Sequence, residues 1–331
     1  MVIALYLMAN FSEPVESLAV SAANLNENPG TAGLFNRIFT ILVWICAASG
    51  LIFLLWMAWI VFQDARPAIN EFGWGFLWGT TWDVNVLKFG GLPFIFGSIV
   101  SSILALVLAI PLSVAVALTT SENYLPASVR YPIGFLVELI ASIPSVIIGL
   151  WGIFVLIPVL KPLQEWLFQN FAWFPLFNTQ PLGPSMLIAG VILAIMIVPT
   201  ISAISRDVLL TVPPELRSAS MALGATRWET IWRVLLPAAS SGIIGAIILG
   251  LGRALGETMA VAMVIGNSSI ISPSLLAPGY TIPAVLANTF PEAFEKVHIG
   301  ALMYLALILF VITLAVNSVA ALLVQFINRN R

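Results

Sequence analysis

Two charged residues, Arg253 and Glu257, lie four positions apart in an otherwise apolar stretch that is long enough to cross a membrane. A charge at the bilayer centre costs about 2.5–3.5 kcal/mol on insertion scales, so the pair needs a function or a partner. Arginine stays charged and offers a planar fork of donors that suits an oxyanion. At this spacing the two side chains share a helix face, and Glu257 can hold Arg253 until an anion displaces the carboxylate. A structural salt bridge within a helical bundle explains the same spacing and stays open as an alternative.

A third charged candidate, Glu138, lies in the apolar run 131–160. An acid within a membrane span is by default a candidate functional residue, here for the substrate path. The alternative is a buried carboxyl group that is protonated or bonded to a neighbouring helix. The sequence favours neither.

The composition explains why these three charges stand out. The 331 residues are 60% hydrophobic and 8% charged, whereas soluble domains are about 25% charged. We therefore expect an all-α membrane protein. Apolar runs of about 20 residues predict six transmembrane helices, at 38–62, 92–119, 131–160, 184–204, 238–265 and 299–327. Residues 1–36 read as a flexible cytoplasmic tail, and residues 37–331 as one transmembrane domain.

The distribution of Lys and Arg predicts the orientation. With six spans, both termini lie on one side of the membrane, and that side carries most of the basic residues: Arg37, Arg130, Arg206, Arg217, Arg227, Arg233, Arg329 and Arg331. The other side carries Arg66, Lys88, Lys161 and Lys296. Positive charge accumulates on the cytoplasmic side of membrane proteins. Both termini and the segment 206–237 are therefore predicted to be cytoplasmic, in a bacterial plasma membrane.

The composition also excludes several kinds of site. A net charge of −2 provides no overall basic face for nucleic acid. One cysteine forms no internal disulfide, and one histidine does not suggest a metal site, which needs several ligands. The sequence contains no GxxxxGK[ST] phosphate-binding loop. We therefore predict that the chain is not an enzyme and that any ATP hydrolysis is carried out by a partner.

The polar segment 206–237 is longer than an ordinary connection between helices. Pro213 and Pro214 should stop the fourth span, Glu215 can start a new helix, and Gly224 should break that helix. A second helix fits residues 226–236, with Pro237 ending it. A folded, charged segment inside the cell predicts a docking surface. An amphipathic helix lying on lipid is the alternative.

One pattern in this segment resembles the coupling loop of ABC importer permeases. That motif reads Glu-Ala-Ala, three residues, Gly, nine residues, Ile, one residue, Leu-Pro. Here Gly224, Val234, Leu236 and Pro237 keep the spacing, while Ser218-Ala219-Ser220 stands where Glu-Ala-Ala is usual. The resemblance implies a cytoplasmic coupling helix that fits a groove on an ATPase subunit. The implied contact residues are Glu215, Arg217, Ser218, Ala219, Gly224, Arg227 and Pro237.

Longer stretches narrow the resemblance to the PstC-type permeases of phosphate importers. They are LGRALGETMAVAMVIGN, FLVELIASIPSVIIGLWGIFVL, EFGWGFLWGTTWD and LPFIFGSIVSS, and the likeness covers roughly residues 35–325. It implies a type I ABC importer permease architecture, with Arg253 and Glu257 on the path. The implied partners are a second, homologous permease, two ATP-binding subunits carrying ATP and Mg, and an extracytoplasmic phosphate-binding protein. No cofactor is expected on this chain.

Two other functions stay open. A permease of the same architecture could carry another oxyanion, such as sulfate, molybdate or phosphonate. A passive anion channel or a membrane sensor that does not transport is the alternative from another class. The predicted docking segment argues against this last function, because a channel needs no surface for an ATPase.

Overall fold

The structure of this chain, a computed structural model, describes residues 31–122 and 125–329. Within these residues, six helical stretches are long and apolar enough to cross a membrane, which confirms the predicted number. They are Phe35–Phe72, Leu92–Ser121, Ser145–Phe171, Met186–Thr211, Arg227–Gly256 and Lys296–Leu322.

The elements follow one another along the chain as helices, with one short hairpin. The helices are α1 (Thr31–Phe72), α2 (Gly75–Trp78), α3 (Leu92–Ser121), α4 (Ala127–Ser142), α5 (Ser145–Trp151), α6 (Ile157–Phe171), α7 (Met186–Thr211), α8 (Pro214–Ala222), α9 (Arg227–Thr230), α10 (Leu236–Gly256), α11 (Met259–Val264), α12 (Ile282–Thr289) and α13 (Lys296–Arg329). Strands β1 (Trp82–Asp83) and β2 (Lys88–Phe89) pair antiparallel between α2 and α3.

Helix α1 is longer than the first predicted span. It begins at Thr31, inside the predicted tail, and ends at Phe72, ten residues beyond the predicted end. Its large apolar side chains between Phe35 and Phe62 are mostly exposed. Polar residues after the apolar run are compatible with a helix that continues past the hydrocarbon core. Residues 1–30 of the predicted tail lie outside the described part of the chain.

Helix α7 is the centre of the unit formed by residues 65–331. About two thirds (67%) of its most apolar stretch is buried, against 28% for α3. Helices α3 and α10 pack against it. Gly190 of α7 faces Leu104, and Gly250 of α10 faces Ile201. Small residues of this kind let membrane helices approach closely, which compensates for the weak hydrophobic drive in lipid.

The third span starts later in the chain than predicted. The predicted run 131–160 is divided at Ile143 and Pro144, and the spanning stretch is Ser145–Phe171. A residue before proline is disfavoured in helical geometry, and Ile143 is indeed extended. Helix α4, with Glu138, is therefore a separate 16-residue helix.

The fifth span also differs from the predicted helix 238–265. It starts earlier, because α9, a π-helical turn and α10 run together from Arg227 to Gly256. It ends earlier as well, because Glu257 has an extended backbone and α11 begins only at Met259. The two predicted path residues are thus separated by the end of a helix.

Pro237 does not end a helix, contrary to the prediction. A π-helical turn, Ile231–Leu235, precedes it, and the Leu236 N–H reaches back five residues to Ile231. The wider turn accommodates a proline, which lacks the N–H that a helix interior needs. The same arrangement recurs in the third span, where the π-helical turn Gly152–Leu156 precedes Pro158.

Candidate translocation path and coupling segment

Arg253 lies on the last turn of α10, and its side chain is exposed. Its Nη1 atom donates to the hydroxyl Oγ1 of Thr200 on α7, at 2.9 Å. The bond comes from one end of the fork, so it can fix the guanidinium while the other donors remain available to an anion. Thr200 was not among the predicted site residues. A threonine within an apolar run gives no sequence signal that it will face an arginine 53 positions later.

The surface around Arg253 has little side-chain cover. A methyl group added at Gly245, Gly252 or Gly256 would meet nothing within 4 Å. These glycines and Leu249 recur every three or four residues, which places them on one side of α10. Helix α10 therefore leaves an open strip beside the guanidinium, in contrast to Gly250, which packs against Ile201.

Glu257 does not pair with Arg253 as the spacing suggested. Ion pairs join Lys161 to Glu165 and Arg217 to Glu122, whereas none joins Glu257 to Arg253, both of which lie in the described part of the chain. Glu257 follows the last residue of α10, and its carboxylate Oε1 accepts from the N–H of Ala260 at 3.4 Å. A carboxylate at a helix start is favourable, because it meets backbone donors without helical partners. The rule for residues four apart requires a continuous helix, and the helix ends between these two.

Glu138 lies near the end of α4, and its side chain is exposed. Helix α4 packs on α3 and α7, and it is not among the six membrane-spanning candidates. The buried carboxyl group that was the alternative does not describe this position. Its role in the substrate path stays a prediction.

A substitution of Thr200 tests whether it positions Arg253. Thr200→Val keeps the shape of the side chain and removes the acceptor. We expect substrate uptake at limiting concentration to fall about tenfold, since a hydrogen bond to a charged group contributes about 1.5–3 kcal/mol and an exposed bond lies at the low end of that range. Thr200→Ser, which keeps the hydroxyl, is the matched control and should transport like the native chain. Equal uptake by the native, valine and serine forms would contradict the assignment.

The segment between α7 and α10 is a folded helical hairpin. Helix α7 ends at Thr211, and Pro213 precedes α8, which confirms the predicted stop. At the end of α8, Gly224 has a φ of +88°. The Gly224 N–H bonds to Met221, and the next N–H, of Ala225, bonds to Ser220. This is the Schellman arrangement, in which a glycine takes the left-handed position.

The second arm of the hairpin has its own start signal. Thr226 and Glu229 form a reciprocal capping box, with the threonine hydroxyl accepting from the Glu229 N–H and the carboxylate accepting from the Thr226 N–H. The hydroxyl groups of Ser220 and Thr230 lie 3.0 Å apart and join the two arms. The shape of this hairpin is thus specified by hydrogen bonds between its own residues.

Most predicted coupling residues lie on the exposed side of this hairpin. Glu215, Ser218, Ala219, Gly224, Arg227 and Pro237 are all exposed. The hydroxyl of Ser218 bonds back to the carbonyls of Pro214 and Glu215 within α8. Leu223 at the tip is 90% exposed. An apolar side chain presented on a rigid tip is suited to insertion into a groove on a partner.

Arg217 is the exception, because it points inward. Its guanidinium bonds to the carboxylate of Glu122, at the end of α3, and the side chain is only 20% exposed. A direct ATPase contact through Arg217 therefore does not fit this arrangement. Glu122 was not among the predicted site residues, although its charge in the polar sequence between the second and third predicted spans was a visible signal.

The left-handed backbone at Gly224 leads to a second prediction. A β-branched residue there is strained by about 1–2 kcal/mol or more. We expect Gly224→Val to distort the tip and to reduce co-purification of the ATPase subunit about tenfold. Gly224→Asn is the control, because asparagine tolerates this conformation, and it should retain the subunit. Normal retention by the valine form would show that the tip geometry is not needed for docking.

Comparison with known proteins places the chain among transport permeases. A family described as "Binding-protein-dependent transport system inner membrane component" matches residues 109–330. The phosphate transport system permease protein PstC of Xylella fastidiosa is 43% identical over 88% of this chain and 91% of its own length. The PstC of Pasteurella multocida is 40% identical over 88% and 90%. A probable PstC of Methanocaldococcus jannaschii is 38% identical over 77% and 83%.

Solved structures share the fold at low sequence identity. A bacterial alginate ABC transporter matches 88% of this chain and 97% of its own, with a TM-score of 0.58 and 17% identity. The inward-facing MetNI methionine transporter matches 71% and 93%, with a TM-score of 0.51 and 19% identity. The fold is that of type I ABC importer permeases, and the protein crosses the membrane several times. The chain belongs to the family of inner-membrane components of binding-protein-dependent transport systems.

Proposed function

We propose that this chain forms half of the pore of an ATP-driven importer of inorganic phosphate. The observation that carries anion transport is Arg253, an exposed arginine at the end of a membrane-spanning helix, beside open glycine surface and oriented by Thr200. The identity of the anion rests on relatives named as phosphate transport permeases, two of which are 43% and 40% identical over most of the chain.

The geometry changes the mechanism suggested by the sequence. Glu257 does not hold Arg253, so phosphate does not need to displace a carboxylate from it. Phosphate offers several acceptor oxygens, and the guanidinium can bind two of them at once through parallel N–H groups. Thr200 keeps the fork in place between substrate molecules. Glu257 ends α10 and caps α11, which fixes the backbone just beyond Arg253.

ATP would act on this pore through partners. By kinship with the family, these are a second permease, two ATP-binding subunits that carry ATP and Mg, and an extracytoplasmic phosphate-binding protein. The exposed tip of the hairpin, with Leu223 and the capped start of α9, is the surface proposed to dock on the ATPase. This chain contributes binding and movement, and hydrolysis belongs to the ATPase. The basic side, with the termini and the hairpin, is proposed to be cytoplasmic.

Uptake of a panel of oxyanions tests this proposal. Cells that lack their own high-affinity phosphate system would carry this chain with its partner subunits. Labelled phosphate should accumulate only with an intact ATPase, and excess sulfate, molybdate or phosphonate should not compete. If a fully assembled complex moves another of these anions but no phosphate, that anion replaces phosphate as the proposed substrate. Uptake that persists with a hydrolysis-deficient ATPase would indicate a passive channel.

A further inference from the structure

A largely buried ion pair ties helix α8 of the hairpin to the ends of α3 and α7. The Arg217 guanidinium on α8 donates to Oε1 of Glu122 from Nη2 at 2.7 Å and from Nε at 3.0 Å. Nη1 donates to the carbonyl of Val212 at 2.9 Å, and Nη2 donates to that of Leu209 at 3.0 Å. Glu122 follows the last residue of α3, while Leu209 and Val212 form the end of α7. One side chain therefore holds the ends of α3 and α7 together.

The environment makes this contact stronger than an ordinary surface pair. The two side chains are 20% and 10% exposed, so water screens the charges little. Two bonds from the guanidinium converge on the same carboxylate oxygen, Oε1, and such charge-assisted bonds are stronger than neutral ones. The carbonyls of Leu209 and Val212 lie at a helix C-terminus, where a cation is favourable, although the Leu209 carbonyl also accepts the N–H of Val212. The guanidinium of Arg217 bonds to the carboxylate and to both carbonyls at once. Lysine lacks the planar fork of donors that makes this possible.

We infer that Glu122 and Arg217 are positioning residues that transmit movement of the docking hairpin to the spans. The short link through Pro213 already ties α8 to α7. The added element is the tie to α3, which packs along α7 as its most extensive partner. Thr200 lies nine residues before Leu209 on α7, about 14 Å along the helix axis. A displacement of α8 would thus move α3 and α7 together, and with them the residue that orients Arg253.

This inference rests on the proposed function, because transmission is meaningful only if an ATPase docks on the hairpin. Contiguity alone does not demonstrate coupling between distant sites. The decisive readout is therefore the amount of phosphate moved per ATP hydrolysed, which a purely structural role would leave unchanged in every complex that assembles.

The test uses the complete complex in proteoliposomes with its binding protein. Glu122→Gln keeps the size and one acceptor oxygen but removes the charge. We expect the phosphate-to-ATP ratio to fall about tenfold, within the range typical of coupling between sites, while ATP hydrolysis per assembled complex stays within twofold of native. Arg217→Lys should give an intermediate ratio. Asp207→Asn removes the same charge from an exposed acid near the end of α7 and should keep the native ratio.

A second variant covers the case in which Glu122→Gln fails to assemble. Cys46 is the only cysteine of the chain, so Cys46→Ser provides a background for Glu122→Cys with Arg217→Cys. A short crosslinker with two thiol-reactive maleimide ends, which alkylates both cysteine sulfurs, should restore the phosphate-to-ATP ratio that the uncrosslinked form has lost. A ratio that stays low after complete crosslinking, or a native ratio in Glu122→Gln, would overturn the inference.

Hydrogen exchange separates this inference from the proposed function, because it needs no transported substrate. Trapping the ATPase with nucleotide should change exchange in residues 214–224 and in residues 113–122 of the native complex. In Glu122→Gln the change should be confined to residues 214–224. If the native complex moves no phosphate but shows this pattern, the proposed substrate fails and the inference stands. If residues 113–122 respond equally in both forms, the inference fails.

Discussion

Arg253→Gln should reduce phosphate uptake by between about 10-fold and about 100-fold without preventing assembly. The range follows from the loss of charge-assisted hydrogen bonds to an anion, each worth about 1.5–3 kcal/mol. Glutamine keeps a polar, hydrogen-bonding end but has neither the charge nor the fork. The native side chain is exposed and bonds to Thr200, so its replacement should cost the folded chain little. Initial uptake rates, normalised to the amount of complex in the membrane, measure the effect.

Arg253→Lys is the informative control for this experiment. Lysine keeps the charge but presents a point charge on a flexible stem, so its uptake should lie between those of the native and glutamine forms. If the lysine form equals the native chain, charge alone matters and the fork has no role. If the glutamine form transports normally, Arg253 is not on the path. If neither variant assembles, Arg253 is a structural residue of the bundle.

Much of the helical architecture follows from the sequence, because membrane spans are recorded in local composition. The second and sixth predicted spans lie within two or three residues of α3 and α13 at their described ends. Pro213, Pro214 and Gly224 act locally, through a missing N–H and a left-handed backbone, so the outline of the hairpin was readable too. Local chemistry is what a single sequence encodes most directly.

Helix boundaries were harder to predict where a neighbouring turn or side chain offsets the local signal for a helix to stop or continue. Pro237 has the signature of a helix stop, but the wider turn before it removes the conflict. The end of α10 shows the opposite error. Leu251–Asn267 contains no proline, yet the helix stops at Gly256 and the Glu257 side chain caps the next helix. A glutamate within an apolar run is predicted to continue the helix, unless its side chain can accept a backbone N–H at the start of the next helix, as Glu257 does.

Side-chain hydrogen bonds between residues far apart in the chain could not be predicted from the sequence. Arg217 was assigned to an outward docking face, and its partner Glu122 lies 95 positions earlier in the chain. The sequence shows that both residues are charged, but only the packing of α3 beside α7 brings them together. The same holds for Thr200 and Arg253, which are 53 positions apart. The pairings that orient the candidate site are therefore tertiary, even where the individual residues were predicted.

The close contact between α3 and the start of α12 provides the prediction with the largest expected effect on stability. A Cβ atom at Gly97 would overlap the backbone carbonyl of Tyr280. Both sides of this contact are fixed. The next residue, Ser98, accepts a bond from the Ile282 N–H at 2.8 Å, and the ring of Tyr280 packs edge-on against Phe94, with centroids 5.5 Å apart.

Gly97→Ala should therefore destabilise the folded chain by about 3 kcal/mol, the upper part of the usual range for overpacking. The clash is with backbone atoms of Tyr280, and backbone cannot yield as a flexible side chain would. Thermal unfolding of the purified permease, with its level in the membrane, measures the loss. Gly134→Ala is the matched control, because a methyl group there meets nothing within 4 Å and alanine favours a helix. Equal unfolding temperatures for Gly97→Ala and the native chain would mean that α3 and the loop before α12 are not held in this contact.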